Sequence, residues 1–109
     1  MDIFAETNAG VKINIEVQLA SQKYLEKRFL YYWSNMYQLN SGKEYSTLEK
    51  GISIIFLNFD FLPQPDYHSL YGIYNLNTGH RLTDDFEMHF LEIKKWPIKS
   101  LKAMMRLDR

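Results

Sequence analysis

The chain has 109 residues, 24% of them charged and 46% apolar, a composition that fits one globular domain over residues 1–109 and excludes a disordered or fibrous chain. Lys plus Arg equals Asp plus Glu at 13 each, so no net positive field announces nucleic acid, and the absence of cysteine removes disulfides, zinc fingers and thiol catalysis. No secretory pattern opens the chain, and its longest apolar run, Ile52 to Phe61, is too short to span a bilayer, so a reducing cytoplasm and no membrane are expected.

Asp2 to Glu6 and Val11 to Gln18 are rich in β-branched and aromatic side chains and flank Asn8-Ala9-Gly10. A three-residue hairpin loop needs a left-handed residue at its third position, which Gly10 supplies. If Thr7 then pairs with Val11, the ladder places Asp2 opposite Glu16. Along the second strand Ile13, Ile15 and Val17 share one face, read as the core face. Lys12, Asn14, Glu16 and Gln18 share the other, which is polar and chemically crowded.

From Ser21 to about Gln38 the period becomes helical, with Leu25, Phe29, Tyr32 and Met36 on one stripe, Ser21 as N-cap and Gly42 as a stop signal. Ile52 to Leu57 reads as a strand covered on both faces, and Pro63-Gln64-Pro65 then breaks the chain. Leu70 to Leu76 and Phe86 to Lys94 read as two further strands, joined through a turn at Asn77-Thr78-Gly79. Ile98, Leu101 and Met105 have helical spacing near the end.

The chemistry concentrates in the first hairpin. Asp2, Glu16 and Gln18 on one face are oxygen and amide groups of the kind a hard divalent cation takes, and such an ion suits phosphodiester hydrolysis. Arg28 reads equally well as part of the helix's solvated face or as a phosphate contact. Tyr31-Tyr32-Trp33 reads as core packing in preference to a base-stacking platform. His68, His80 and His89 are too scattered in sequence for a zinc site, and surface or turn roles are expected of them.

Asp2-Ile3-Phe4-Ala5, Gly10 and Ile13 to Gln18 resemble two core strands of the recombination-promoting nucleases, a transposase group within the PD-(D/E)XK nuclease superfamily. The resemblance continues through Arg28, Tyr32-Trp33-Ser34, Gln38, Gly42, Tyr45, Ile52 to Phe59, Tyr67-His68-Ser69 and Leu82 to Lys94, nearly the whole chain. It implies an α/β fold of mixed α+β order: a restriction-endonuclease-like core, in which a mixed β-sheet is flanked by helices. It also implies a Mg²⁺-dependent DNA endonuclease, with Mn²⁺ as a substitute ion, associated with mobile elements or recombination. Asp2 and Glu16 become metal ligands, joined by the backbone carbonyl of Val17. Gln18 takes the place of the superfamily's Lys, and Arg28 and Gln38 become phosphate or metal-water contacts. Because the chain opens at the metal-binding Asp, the family's first helix and first strand are expected to be missing. The sheet edge they leave would favour a homodimer. The alternative reading is an inactive remnant that binds DNA or self-associates.

Overall fold

The computed structural model describes residues 2–7, 10–36 and 44–97, with residues 2–5 placed by their backbone. Gly10, at φ +80°, turns the first hairpin. Its N–H donates to the Thr7 carbonyl at 3.0 Å and the Thr7 N–H to the Val11 carbonyl at 2.9 Å, which closes the expected loop. From there β1 (Asp2–Glu6) and β2 (Lys12–Gln18) run antiparallel in the register that places Asp2 opposite Glu16.

The chain leaves β2, forms α1 (Leu25–Met36) and returns as β3 (Gly51–Leu57), parallel to β2. β4 (His68–Tyr74) and β5 (Arg81–Glu92) are an antiparallel pair, and β5 lies parallel to β3. The sheet order is β1-β2-β3-β5-β4, a mixed α/β sheet compatible with a restriction-endonuclease-like core. Short 3-10 turns occupy Tyr45–Thr47 and Ile93–Lys95. Among the described residues no helix is long and apolar enough to cross a membrane.

Helix α1 begins four residues later than Ser21 suggested. Tyr24, with φ of 63°, immediately precedes it, and the Tyr24 carbonyl accepts the Arg28 N–H at 3.0 Å. A left-handed non-glycine residue costs on the order of 1 kcal/mol or more, which the packing of the helix behind it must offset. The buried stripe also differs. Leu25, Phe29 and Met36 are buried as expected, but Trp33 takes the place expected of Tyr32 and packs on Phe86 with ring centroids 4.2 Å apart. Gln38, Gly42 and the stretch from Ile98 to Leu107 lie outside the described residues.

Leu25 and Phe29 cover Ile55, Leu57, Phe86, Met88 and Phe90. Phe29 meets Phe90 edge-on at 5.4 Å and Phe61 at 6.1 Å. Each fully buried side chain of this size contributes about 1.5–3 kcal/mol. This helix-covered face decides the fate of β2. Because Glu16 pairs with Ile55 and Gln18 with Leu57, the polar side of β2 lies on the apolar side of β3. Asn14, Glu16 and Gln18 are therefore buried, while Ile13, Ile15 and Val17, the expected core face, are only half-buried. The same alternation holds in β3, which is buried on one face and half-buried on the other. A strand's own alternation tells which residues share a face; its neighbours' registers decide which face the helix covers.

Beyond Gly72 the β4–β5 ladder shifts register, and Leu76 and Leu82 are exposed. A Cβ on Gly72 would come 2.9 Å from the edge of the exposed Tyr74 ring, so a larger residue there would have to displace that ring. At the other end of β5, Glu92 is fully buried and accepts the N–H groups of Phe61 and Leu62 at 2.8 and 3.1 Å. Lys95 lies 2.9 Å from the Glu92 carboxylate and donates to the Leu62 and Gln64 carbonyls. This staple fixes the segment that carries Phe59, Phe61 and Leu62 against the core.

Candidate functional site

The end of β2 and the start of β1 meet at one end of the sheet. Glu16 is 1% exposed, and its Oε1 accepts a hydrogen bond from Gln18 Nε2 at 2.5 Å. Residues two apart on a strand share a face, so the pair is a direct consequence of the Glu-x-Gln spacing. Arg28, one turn into α1, places Nε 3.3 Å from the same Oε1. Its side chain is 38% exposed, its Nη1 donates to Gln22 Oε1 at 3.1 Å, and its guanidinium lies 5.4 Å from the centre of the Tyr32 ring. The guanidinium thus reaches from solvent down to a buried carboxylate, which a buried negative charge requires.

Of the residues singled out in the sequence, the structure brings Glu16, Gln18 and Arg28 together and places the Asp2 backbone opposite Glu16. Val17 points to the other face of β2, as strand alternation requires, and only its backbone can belong to the site. Gln38 lies outside the described residues. Two further oxygens on this face escaped the sequence reading. Asn14 Oδ1 and Ser53 Oγ are buried and have no hydrogen-bond partner among the described residues. Asn14 and Ser53 are paired across β2 and β3, next to the Glu16–Ile55 pair.

The donor set fits a hard divalent cation. It offers a carboxylate and neutral oxygens on one face, with no soft ligand among them. Among the described residues no three His, Asp or Glu side chains converge; the Glu16 carboxylate is charge-compensated by Arg28, whose place an ion would compete for. Beyond the carboxyl ends of β2 and β3 lies a shallow depression of about 440 Å³, lined by Val17, Gln18, Leu19, Phe56, Leu57, Asn58 and Ile93. Crevices outside the carboxyl ends of parallel strands are the usual binding location in α/β sheets.

The opposite face of the sheet holds a second cluster. Glu87 accepts from Lys50 at 2.8 Å, is paired with His89 at 3.0 Å and lies 3.4 Å from Arg81. Lys50 first and His89 second hold its carboxyl at about 2, well below the ordinary 4.5. His89 in turn meets His68 at 2.9 Å. The two histidines, expected to be scattered, are diagonal neighbours on β4 and β5, because His68 pairs with Leu91 and Leu70 with His89. Only the register of that ladder joins them, and no local sequence signal carries it.

A family model described as PD-(D/E)XK nuclease family transposase matches residues 1–109. No curated protein and no solved structure matches the chain. The match spans the strand that carries Glu16 and Gln18, the helix that carries Arg28 and both halves of the mixed sheet, and the chain belongs to the PD-(D/E)XK nuclease family transposases.

Proposed function

We propose that the chain is a metal-dependent DNA endonuclease whose site is built from Asp2, Glu16, Gln18 and Arg28. The observation that carries this reading is the environment of Glu16: a buried carboxylate at the end of β2, opposite Asp2, hydrogen-bonded by Gln18 and charge-compensated by Arg28. Membership of a nuclease family supplies DNA as the substrate class.

Asp2 and Glu16, with the Val17 carbonyl, would hold the ion, Mg²⁺ or Mn²⁺. When bound, the ion lowers the pKa of a water and offsets charge growing on the scissile phosphate. Gln18 occupies the place where the superfamily carries Lys. It is neutral, so it orients the Glu16 carboxylate through its Nε2 and supplies no positive charge. Arg28 supplies that charge instead. With its side chain part-exposed beside Glu16, the guanidinium is placed where it would meet a phosphate at this site, a group it can bind in a two-pronged fashion. Gln38 remains a further phosphate contact in this reading.

The closed state of Glu16, only 1% exposed, favours the alternative of a non-catalytic chain that binds DNA or associates through the β1 sheet edge. Plasmid nicking separates the two. The wild-type chain should convert supercoiled DNA to nicked and linear forms only with Mg²⁺ or Mn²⁺, and Glu16→Ala should abolish the conversion. Identical products from wild type and Glu16→Ala would remove the enzymatic reading.

A further inference from the structure

We propose that the β4 edge of the sheet is a self-association surface, on which a second copy of this chain pairs antiparallel across a two-fold axis at Tyr71. Among the described residues β4 is an outer strand, at the opposite edge from β1. Its residues, His68-Ser69-Leu70-Tyr71-Gly72-Ile73-Tyr74, include no Lys, Asp, Glu or Pro, the residues that commonly keep an outer strand from pairing. Leu70, Tyr71, Ile73 and Tyr74 are exposed along it.

The backbone phase selects the register. The Tyr67 carbonyl accepts the Glu92 N–H and the Asn75 N–H donates to the His80 carbonyl, both at 2.8 Å, so at either end of β4 the odd-numbered residues face β5. Alternation leaves the N–H and C=O groups of His68, Leu70, Gly72 and Tyr74 on the free edge. With the axis at Tyr71, Leu70 of one copy pairs with Gly72 of the other and His68 with Tyr74, so all four edge residues are bonded. Moving the axis by one residue in either direction takes His68 or Tyr74 out of the ladder.

The two ends of the strand are complementary. Leu76, five residues past Tyr71, is 99% exposed in a turn held by Asn75, whose Oδ1 accepts the N–H groups of Asn77 and Thr78 at 2.8 and 3.0 Å. Asp66, five residues before Tyr71, lines a pocket of about 390 Å³ whose walls include Pro65, Tyr67 and Pro97. The two-fold axis therefore carries each Leu76, ~17 Å along the strand from Tyr71, to the pocket of the other copy. The exposed parts of Leu70, Tyr71, Ile73, Tyr74 and Leu76 offer roughly 600 Å² per copy, which with His68 and the pocket approaches the about 800 Å² per partner of a standard interface. This pairing leaves the β1 edge free and does not depend on the nuclease reading.

Sedimentation velocity of the full chain from about 1 to about 100 µM, joined to a single-cysteine cross-link, tests the surface. The wild-type chain should pass from monomer to dimer over this range. Leu76→Asp should weaken association at least ten-fold, and Tyr45→Ser, at an exposed residue in the turn before β3, should leave it unchanged. The nearly complete exposure of Leu76 keeps the fold out of the result, which the melting curve of the dilute chain verifies. The chain has no cysteine, so Tyr71→Cys introduces a single thiol. At a Cα separation of about 4.5 Å from its counterpart across the axis, it should give a disulfide-linked dimer on mild oxidation. Asn77→Cys, roughly 40 Å from its counterpart, should not. A monomer at every concentration, a dimer indifferent to Leu76→Asp, or equal cross-linking of Tyr71→Cys and Asn77→Cys would overturn the assignment.

Discussion

Arg28 Nε lies 3.3 Å from Glu16 Oε1, although one belongs to helix α1 and the other to strand β2. The pair links the packing of the helix to the charge state of the site. Removing the guanidinium takes away the positive charge beside the buried Glu16 and leaves the Gln18 hydrogen bond in place, while the partial exposure of Arg28 lets water compensate in part. Arg28→Ala is expected to cost about 1–2 kcal/mol, and the cost should shrink by about 1 kcal/mol in a Glu16→Gln background. Urea unfolding of the double-mutant cycle measures the coupling. Additive effects would show that the two side chains do not interact.

Glu92 combines complete burial with two backbone N–H donors and Lys95. Burial alone would push its carboxyl up, but the N–H of Phe61, then Lys95 and the N–H of Leu62, outweigh it and hold the group below the ordinary 4.5. Glu92→Ala leaves these donors buried and should cost about 3 kcal/mol or more. Fluorescence of Trp33 and Trp96 during chemical unfolding provides the readout, and a change below 1 kcal/mol would show that the 58–65 segment holds without the staple.

The lowered Glu87 carboxyl sets an acid limit. Its folded value, about 2, lies below its unfolded value, so its contribution is complete above pH 4.5 and is lost as pH falls toward 2. After allowance for solvent screening, Glu87→Gln should cost about 2 kcal/mol at pH 7. The difference from wild type should vanish near pH 2. A difference independent of pH would assign the loss to packing.

Glu49 has the opposite sign. Burial first, then a hydrogen bond and repulsion from Glu6, raise its carboxyl above 4.5, with Lys12 partly opposing them. A raised folded value gives stability at low pH that disappears as pH rises through it. Glu49→Gln keeps the hydrogen bond without the repulsion, so it should raise the melting temperature at pH 7 and give no gain near pH 3. Equal melting temperatures at pH 7 would mean that Glu6 and Glu49 do not oppose one another.

The hairpin register was legible because Gly10 admits one tight loop and the strand period of two carries the consequence to Asp2 and Glu16. The helix stripe was nearly so, with Trp33 displacing Tyr32 once Phe86 presented a surface for it. Burial of the polar face of β2 was not legible: it follows from the pairing of Glu16 with Ile55 and Gln18 with Leu57, contacts between segments separated by the whole of α1. The late start of the helix was hidden because Ser21 is a good cap in isolation and Tyr24 carries no signal for a left-handed φ. Asn14 and Ser53, oxygens beside Glu16, likewise became visible only when β2 and β3 lay side by side.

The central claim, that Asp2 and Glu16 hold one divalent ion, is tested most directly by melting curves with and without Mg²⁺. An ion bound only by the native state stabilises it by about 2.7 kcal/mol at 100 times its dissociation constant. Mg²⁺ or Mn²⁺ should therefore raise the melting temperature of the wild-type chain, and Asp2→Asn or Glu16→Gln should nearly abolish the increase. Equal stabilisation of wild type and both variants would place the ion elsewhere and contradict the site.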